Sequence, residues 1–165
     1  MNLRSIQYKY GLFASLAAVL IFVLLNILES GTNLNSKIIG VALLASSIIL
    51  WIIPVFQLKN FGNVEKGAPY FNTNNVVEKG IYKCLRHPQY LAYMLLVLGF
   101  SFVSQHIVII VLSVISIFLF YLHSIDEEKF LVHKFGSEYE QYCSKVPRFN
   151  IIKGVLNLFL TKHQQ

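Results

Sequence analysis

Four uncharged, almost wholly apolar runs, at residues 11–28, 38–56, 88–104 and 107–123, constrain this chain more than any other feature. At about 1.5 Å of rise per residue each forms a helix roughly 26–29 Å long, enough to cross the hydrocarbon core of a bilayer. Four such helices carry more apolar surface than a soluble domain of 165 residues can hide. Composition agrees, with 55% hydrophobic and 13% charged residues and a mean hydropathy of +0.57. These proportions exclude intrinsic disorder, and a cysteine count of two (Cys84 and Cys143) excludes a disulfide-stapled secreted scaffold. Both cysteines are expected to stay reduced. The expected class is an all-α membrane protein, one integral membrane domain over residues 1–165, with four transmembrane helices in two antiparallel pairs and a C-terminal interfacial helix.

The connectors set the topology. Residues 29–37 read ESGTNLNSK, a run of turn formers between the first two spans. Trp51 and Pro54 mark an approach to the interface and a kink or stop near the end of the second. Only Gln105 and His106 separate the third and fourth spans, which makes them a tight hairpin. Residues 57–87 form a long polar loop without helical or strand periodicity, and a loop that long in a small protein is usually functional.

The net charge of +6 could point to nucleic acid, but the basic residues are scattered beside the apolar runs and form no stripe, so no nucleic-acid partner is expected. Arg4 and Lys9 precede the first span without an acid. The long loop sets Lys59, Lys66, Lys79, Lys83 and Arg86 against Glu65 and Glu78, and the Gln105–His106 turn carries no Lys or Arg. The positive-inside rule therefore places both termini and the long loop in the cytosol, with residues 124–165 cytosolic or interfacial. A cleaved signal peptide is disfavoured, because the first run exceeds an h-region and no small-x-small site follows it. At the C-terminus, Asn150, Lys153, Asn157 and Thr161 recur at helical spacing among aliphatic residues, a pattern that suits a helix lying in the interface.

Polar residues inside the spans are few: Ser15, Asn26, Ser46, Ser47, Ser101, Ser113 and Ser116. None ionises, which disfavours a proton-coupled exporter, and small pairs such as Ala14/Ala18 and Ala42/Ser46 read as helix contacts. The ionisable residues collect at the cytosolic ends of the hairpin, in the segment 80–90 (GIYKCLRHPQY) and at Asp126, Glu127 and Glu128. Hairpin geometry makes these two sets neighbours.

Pro88 suits the first turn of a helix, so Arg86 and His87 are expected at its positive end beside unpaired backbone N–H groups, where a carboxylate or phosphate would be held. The three acids would occupy the negative end of a dipole if the fourth helix stopped at them. An ordinary salt bridge from Arg86 or Lys83 to Glu127 or Glu128 explains the same spacing, and the two readings stay open. No His, Cys or carboxylate set has the spacing of a metal site; His123 and His133 are too far apart, and His106 and His163 stand alone.

The segment GIYKCLRHPQYLAYMLL resembles the Gly-x-Tyr-x-x-x-Arg-His-Pro-x-Tyr signature of the isoprenylcysteine carboxyl methyltransferase and phospholipid methyltransferase superfamily. The segment DEEKFLVHKFGSEYEQYCSKVPRF is similar to its second signature, Glu-Glu followed by Phe-Gly-x-x-Tyr-x-x-Tyr and Val-Pro-Arg. Together they cover the C-terminal half, and one departure is Ala92, where the family usually has Gly.

The resemblance implies S-adenosylmethionine as methyl donor and a lipophilic acceptor entering from the bilayer. It carries over Arg86, His87, Pro88, Tyr90, Glu127, Glu128, Tyr139 and Arg148 as motif positions. On chemical grounds Arg86 and His87 suit the donor's carboxylate, Glu127 and Glu128 its cationic groups, and Tyr82, Tyr90 and Tyr139 stacking. Glu128 is the candidate base for an amine acceptor, and Arg148 the candidate for holding an anionic one. Carboxyl O-methylation is the favoured reaction, with N-methylation of a phospholipid amine, S-methylation of a small thiol and a non-catalytic interaction protein as the alternatives.

Overall fold

The computed structural model describes residues 9–162, so Arg4 and His163, used in the charge and metal arguments above, lie outside the described residues. Every regular element among the described residues is helical: α1 (Lys9–Leu25), α2 (Leu34–Phe61), a 3-10 turn (Gly80–Lys83), α3 (Pro88–Ser104), α4 (Ile107–Phe135), α5 (Ser137–Lys145) and α6 (Ile151–Lys162). By length and composition α2 and α4 are long and apolar enough to cross a membrane, while α1 and α3 are apolar helices of 17 residues.

Local chemistry sets the helix ends. Asn33 caps α2, its Oδ1 accepting the Ser36 N–H at 3.0 Å. Pro54 does not end α2 near residue 56; it is buried inside a helix that runs on to Phe61. Pro88 opens α3, where a missing N–H costs nothing. The Nδ1 of His106 accepts the Val108 N–H at 3.3 Å at the start of α4.

The fourth helix does not stop after residue 123. It continues through Asp126, Glu127 and Glu128 to Phe135 and breaks at Gly136, whose φ of 60° lies in the left-handed region. The three acids therefore sit within a helix rather than at its negative end, and the dipole argument for a cation falls. At about 1.5 Å per residue, α2 and α4 are each roughly 42–44 Å long, well beyond a hydrocarbon core of about 30 Å.

The chain divides into two compact units: a bundle unit, Met1–Ile49 with Tyr90–Phe130, and a motif unit, Leu50–Gln89 with Leu131–Gln165. In the bundle unit Ile21 of α1, Val97 of α3 and Ile109 of α4 form a core joined by Ala18, Phe100 and Leu112. The first half of α2 reaches α3 through glycine. A Cβ added at Gly40 would lie 2.8 Å from the Gly99 carbonyl oxygen, and one at Gly99 would meet Leu44 at 2.9 Å. Of the two small-residue pairs expected from sequence, Ala14 is buried and Ala18 packs on the core, but Ala42 and Ser46 face outward and Ser46 only bonds back to the Ala42 carbonyl. The working seam of α2 is Gly40, Leu44 and the buried Ser47.

The two hairpin turns of this unit interlock. Gly31 N–H donates to Ser104 O at 2.8 Å, Gln105 Nε2 donates to Asn33 O at 2.8 Å, and Gln105 Oε1 accepts the Asn33 N–H at 3.2 Å. The burial pattern departs from that of a soluble bundle, with small polar side chains inside and aliphatic ones outside. Ser104 at the end of α3 and Ser113, Ser116 and Ser124 of α4 are fully buried, while Val114 and Phe118 of α4 are 62% and 59% exposed. Helices that cannot gain from hiding apolar side chains from lipid instead meet through small residues.

Candidate active site

The motif unit brings the two sequence signatures into direct contact. Arg86 N–H donates to Pro147 O at 3.1 Å and His87 N–H to Arg148 O at 3.4 Å, a two-bond pairing of the Arg-His-Pro segment with the Val-Pro-Arg segment. Side chains reinforce it: Arg86 Nη1 donates to Cys143 O at 2.9 Å, and Tyr142 Oη donates to Tyr82 O at 2.7 Å. The His87 ring lies against Phe149, with centroids 6.1 Å apart. The backbone N–H groups of Arg86 and His87 themselves are thus occupied by protein carbonyls.

Local structure explains the arrangement. The 3-10 turn at Gly80–Lys83 starts from Gly80 at φ 60°, packed on Gln57, whose Oε1 accepts the Ile81 N–H at 2.9 Å. That turn buries Tyr82 and Leu85 and delivers Arg86 half-buried and His87 almost fully buried. On the other side Gly136 frees α5 to start in a new direction. Tyr139, Tyr142 and Val146 then form a core with Val76, Leu131, Val132 and Phe135. Tyr139 and Tyr142 stack obliquely at 5.7 Å.

The long loop is strapped down. Lys134 Nζ donates to Thr73 O at 2.6 Å, Asn75 Nδ2 to Phe61 O at 3.0 Å, and Gln89 Nε2 to the Tyr70 hydroxyl at 3.0 Å.

Of the other predicted site residues, Pro88 is fully buried at the first position of α3, and Arg148 is half-buried with its carbonyl engaged by His87. Tyr90, Glu127 and Glu128 belong to the bundle unit. There Tyr90 meets the ring of His123 edge-on at 5.0 Å and lies beside Phe120 at 6.5 Å. Glu128 is 9% exposed and Glu127 is half-buried, and Asp126 pairs with Lys129 at 2.9 Å.

Sequence reasoning passed over His123. It is buried, its imidazole abuts Gly11 of α1 so closely that a Cβ there would fall 2.7 Å from Nε2, and it touches the motif tyrosine. Its position at the end of an apolar run was the available signal, since ionisable groups are costly there. Among the described residues no group of three or more His, Cys, Asp or Glu is arranged to hold a metal ion.

The family model described as phospholipid methyltransferase matches residues 35–138. Similar proteins include the protein-S-isoprenylcysteine O-methyltransferase of Schizosaccharomyces pombe, 29% identical over 145 residues that cover 75% of this chain and 61% of that protein. The Xenopus laevis protein of the same name is 31% identical over 86 residues, covering 51% of this chain and 30% of its own length. The Homo sapiens protein is 30% identical over 98 residues, with 58% and 34% covered. The chain therefore spans about one third to three fifths of the length of these relatives. No solved structure matches it.

Proposed function

This chain belongs to the phospholipid methyltransferase family, and from that premise we propose that it transfers a methyl group from S-adenosylmethionine to a lipophilic acceptor at the cytosolic membrane face. The favoured reaction is carboxyl O-methylation of an isoprenylcysteine-like acceptor. The observation that carries the reading is the docking of the Arg86–His87 segment on the Pro147–Arg148 segment, because it makes one structure of two signatures some sixty residues apart. The activity for which the three relatives are named supports the acceptor.

The residues fit the donor's chemistry. A half-buried guanidinium and a buried imidazole suit a carboxylate, the buried Glu128 and neighbouring Glu127 suit an ammonium, and Tyr82, Tyr90 and Tyr139 offer faces for a sulfonium and an aromatic base. When bound, S-adenosylmethionine supplies an electrophilic methyl group on sulfur. The task left to the protein is to orient that group and exclude water. Burial of Tyr82, His87 and Tyr139 provides a water-poor wall. A carboxylate acceptor needs no base, and Arg148 is assigned to hold it; with an amine acceptor Glu128 would take the proton.

The mild-alkali test separates these cases. Membranes incubated with methyl-labelled donor are extracted into organic solvent and treated with alkali, and a methyl ester releases volatile labelled methanol. Alkali-stable label in lipid would replace the carboxyl reading with N-methylation of a phospholipid amine or with S-methylation. Absence of transfer to any acceptor would leave a non-catalytic interaction protein.

The topology that goes with this reading is four spans, α1 to α4, with both termini cytosolic. It is supported by the outward apolar faces of the bundle unit and the charge of the long loop. An impermeant thiol reagent is expected to label Cys84 and Cys143 in inside-out vesicles only; labelling in intact cells contradicts it.

A further inference from the structure

Helix α6 is built the wrong way round for a soluble protein. Gly154 is buried against the backbone of Cys84 so tightly that a Cβ at 154 would overlap the Cys84 carbonyl, and Asn157 Nδ2 donates to Lys145 O at 2.9 Å. Asn150 fixes the start, its Oδ1 accepting the Lys153 N–H at 2.9 Å. Positions 154 and 157 lie about 60° apart on a helix of 3.6 residues per turn, and they are the inward side. Opposite them stand Ile152, Leu156 and Phe159, which are 75%, 55% and 61% exposed, flanked by Ile151 and Val155. The small and polar face packs on protein; the apolar face looks out.

An apolar face fixed outward needs an apolar medium. At 12 residues α6 is about 18 Å long, too short to span a bilayer but suited to lying in its surface. From residue 149 to the end the chain contains Lys153 and Lys162 and no acid, which complements anionic headgroups.

We propose that α6 is a lipid-seated brace: its apolar face rests at the headgroup–acyl boundary, and Gly154 on the Cys84 carbonyl holds the turn that leads into Arg86 and His87. The bilayer surface thereby sets the position of the paired signature segments. The link to donor binding rests on the function proposed above; the link between lipid and turn does not.

Two measurements on the full chain in nanodiscs test it. Single tryptophans at 152, 153 and 159 are introduced in a Trp51→Phe background and quenched by lipids brominated high on the acyl chain. Strong quenching at 152 and 159 with at least threefold weaker quenching at 153 is expected; equal or absent quenching at all three overturns the lipid seat, and protection that grows with protein-to-lipid ratio assigns the face to a second copy instead.

The second measurement uses Cys84 as reporter in a Cys143→Ser background. Ile152→Ser with Phe159→Ser is expected to raise its rate of modification by a soluble thiol reagent about fivefold or more, with helix content retained; an unchanged rate overturns the coupling. In an active preparation the same double variant should raise KM for the donor while kcat at saturation stays within twofold. A wild-type chain that never turns over would sink the proposed function and leave the labelling result standing.

Discussion

A buried side-chain hydroxyl bond lies within each unit, yet the two bond different things. In the bundle unit Ser113 Oγ donates to Val97 O at 2.9 Å across α3 and α4, amid glycine and serine contacts with aliphatic side chains turned outward. In the motif unit Tyr142 Oη donates to Tyr82 O at 2.7 Å inside an aromatic core, and the partner carbonyl belongs to a turn rather than a helix. The bundle thus depends on close approach of helices whose backbones are already satisfied. The motif unit depends on side chains that satisfy irregular backbone, which is why its residue identities matter more than its hydrophobicity.

The largest expected effect comes from filling the glycine seam. Gly99→Leu forces a side chain against Leu44 and the Gly40 carbonyl, where backbone cannot yield, and should destabilise by about 3 kcal/mol or more. Ala42→Leu, on the exposed side of the same α2, should change stability by less than about 0.5 kcal/mol. Thermal unfolding in one detergent compares them; equal midpoints would mean that the seam is not what joins α2 to α3.

A smaller difference sharpens the contrast between units. Tyr142→Phe strands a buried carbonyl and should cost about 1–3 kcal/mol. Ser113→Ala should cost about 0.6 kcal/mol, the usual worth of a hydroxyl bond between membrane helices, whose carbonyl keeps its own helical partner. A reversed order of unfolding midpoints would mean that the hydroxyl bond of the motif unit is worth no more than that of the bundle.

Much of the bundle was legible because an uncharged apolar run marks the middle of a helix. It does not mark the helix's ends. The run at 107–123 gave the start of α4 correctly, but the helix continues through Asp126, Glu127 and Glu128 to Gly136, where backbone conformation ends it. For the same reason α2 extends beyond 38–56 at both ends, and Asn33 three residues before Ser36 was the readable cap. In the motif unit the signatures named the right segments, and no periodicity could show their pairing, since it runs through backbone groups of Arg86, His87, Pro147 and Arg148 whose side chains say nothing about it. Gly154 was unreadable for a related reason: its role is the room it leaves for Cys84.

Calorimetry of S-adenosylmethionine with the full chain in nanodiscs shows whether the paired signatures hold a methyl donor. Wild-type protein is expected to bind, and His87→Ala and Glu128→Gln each to bind about ten- to a hundredfold more weakly, the loss expected for a charged hydrogen-bond partner worth about 1.5–3 kcal/mol. Wild-type affinity in both variants, or no binding by the wild type, would contradict that role.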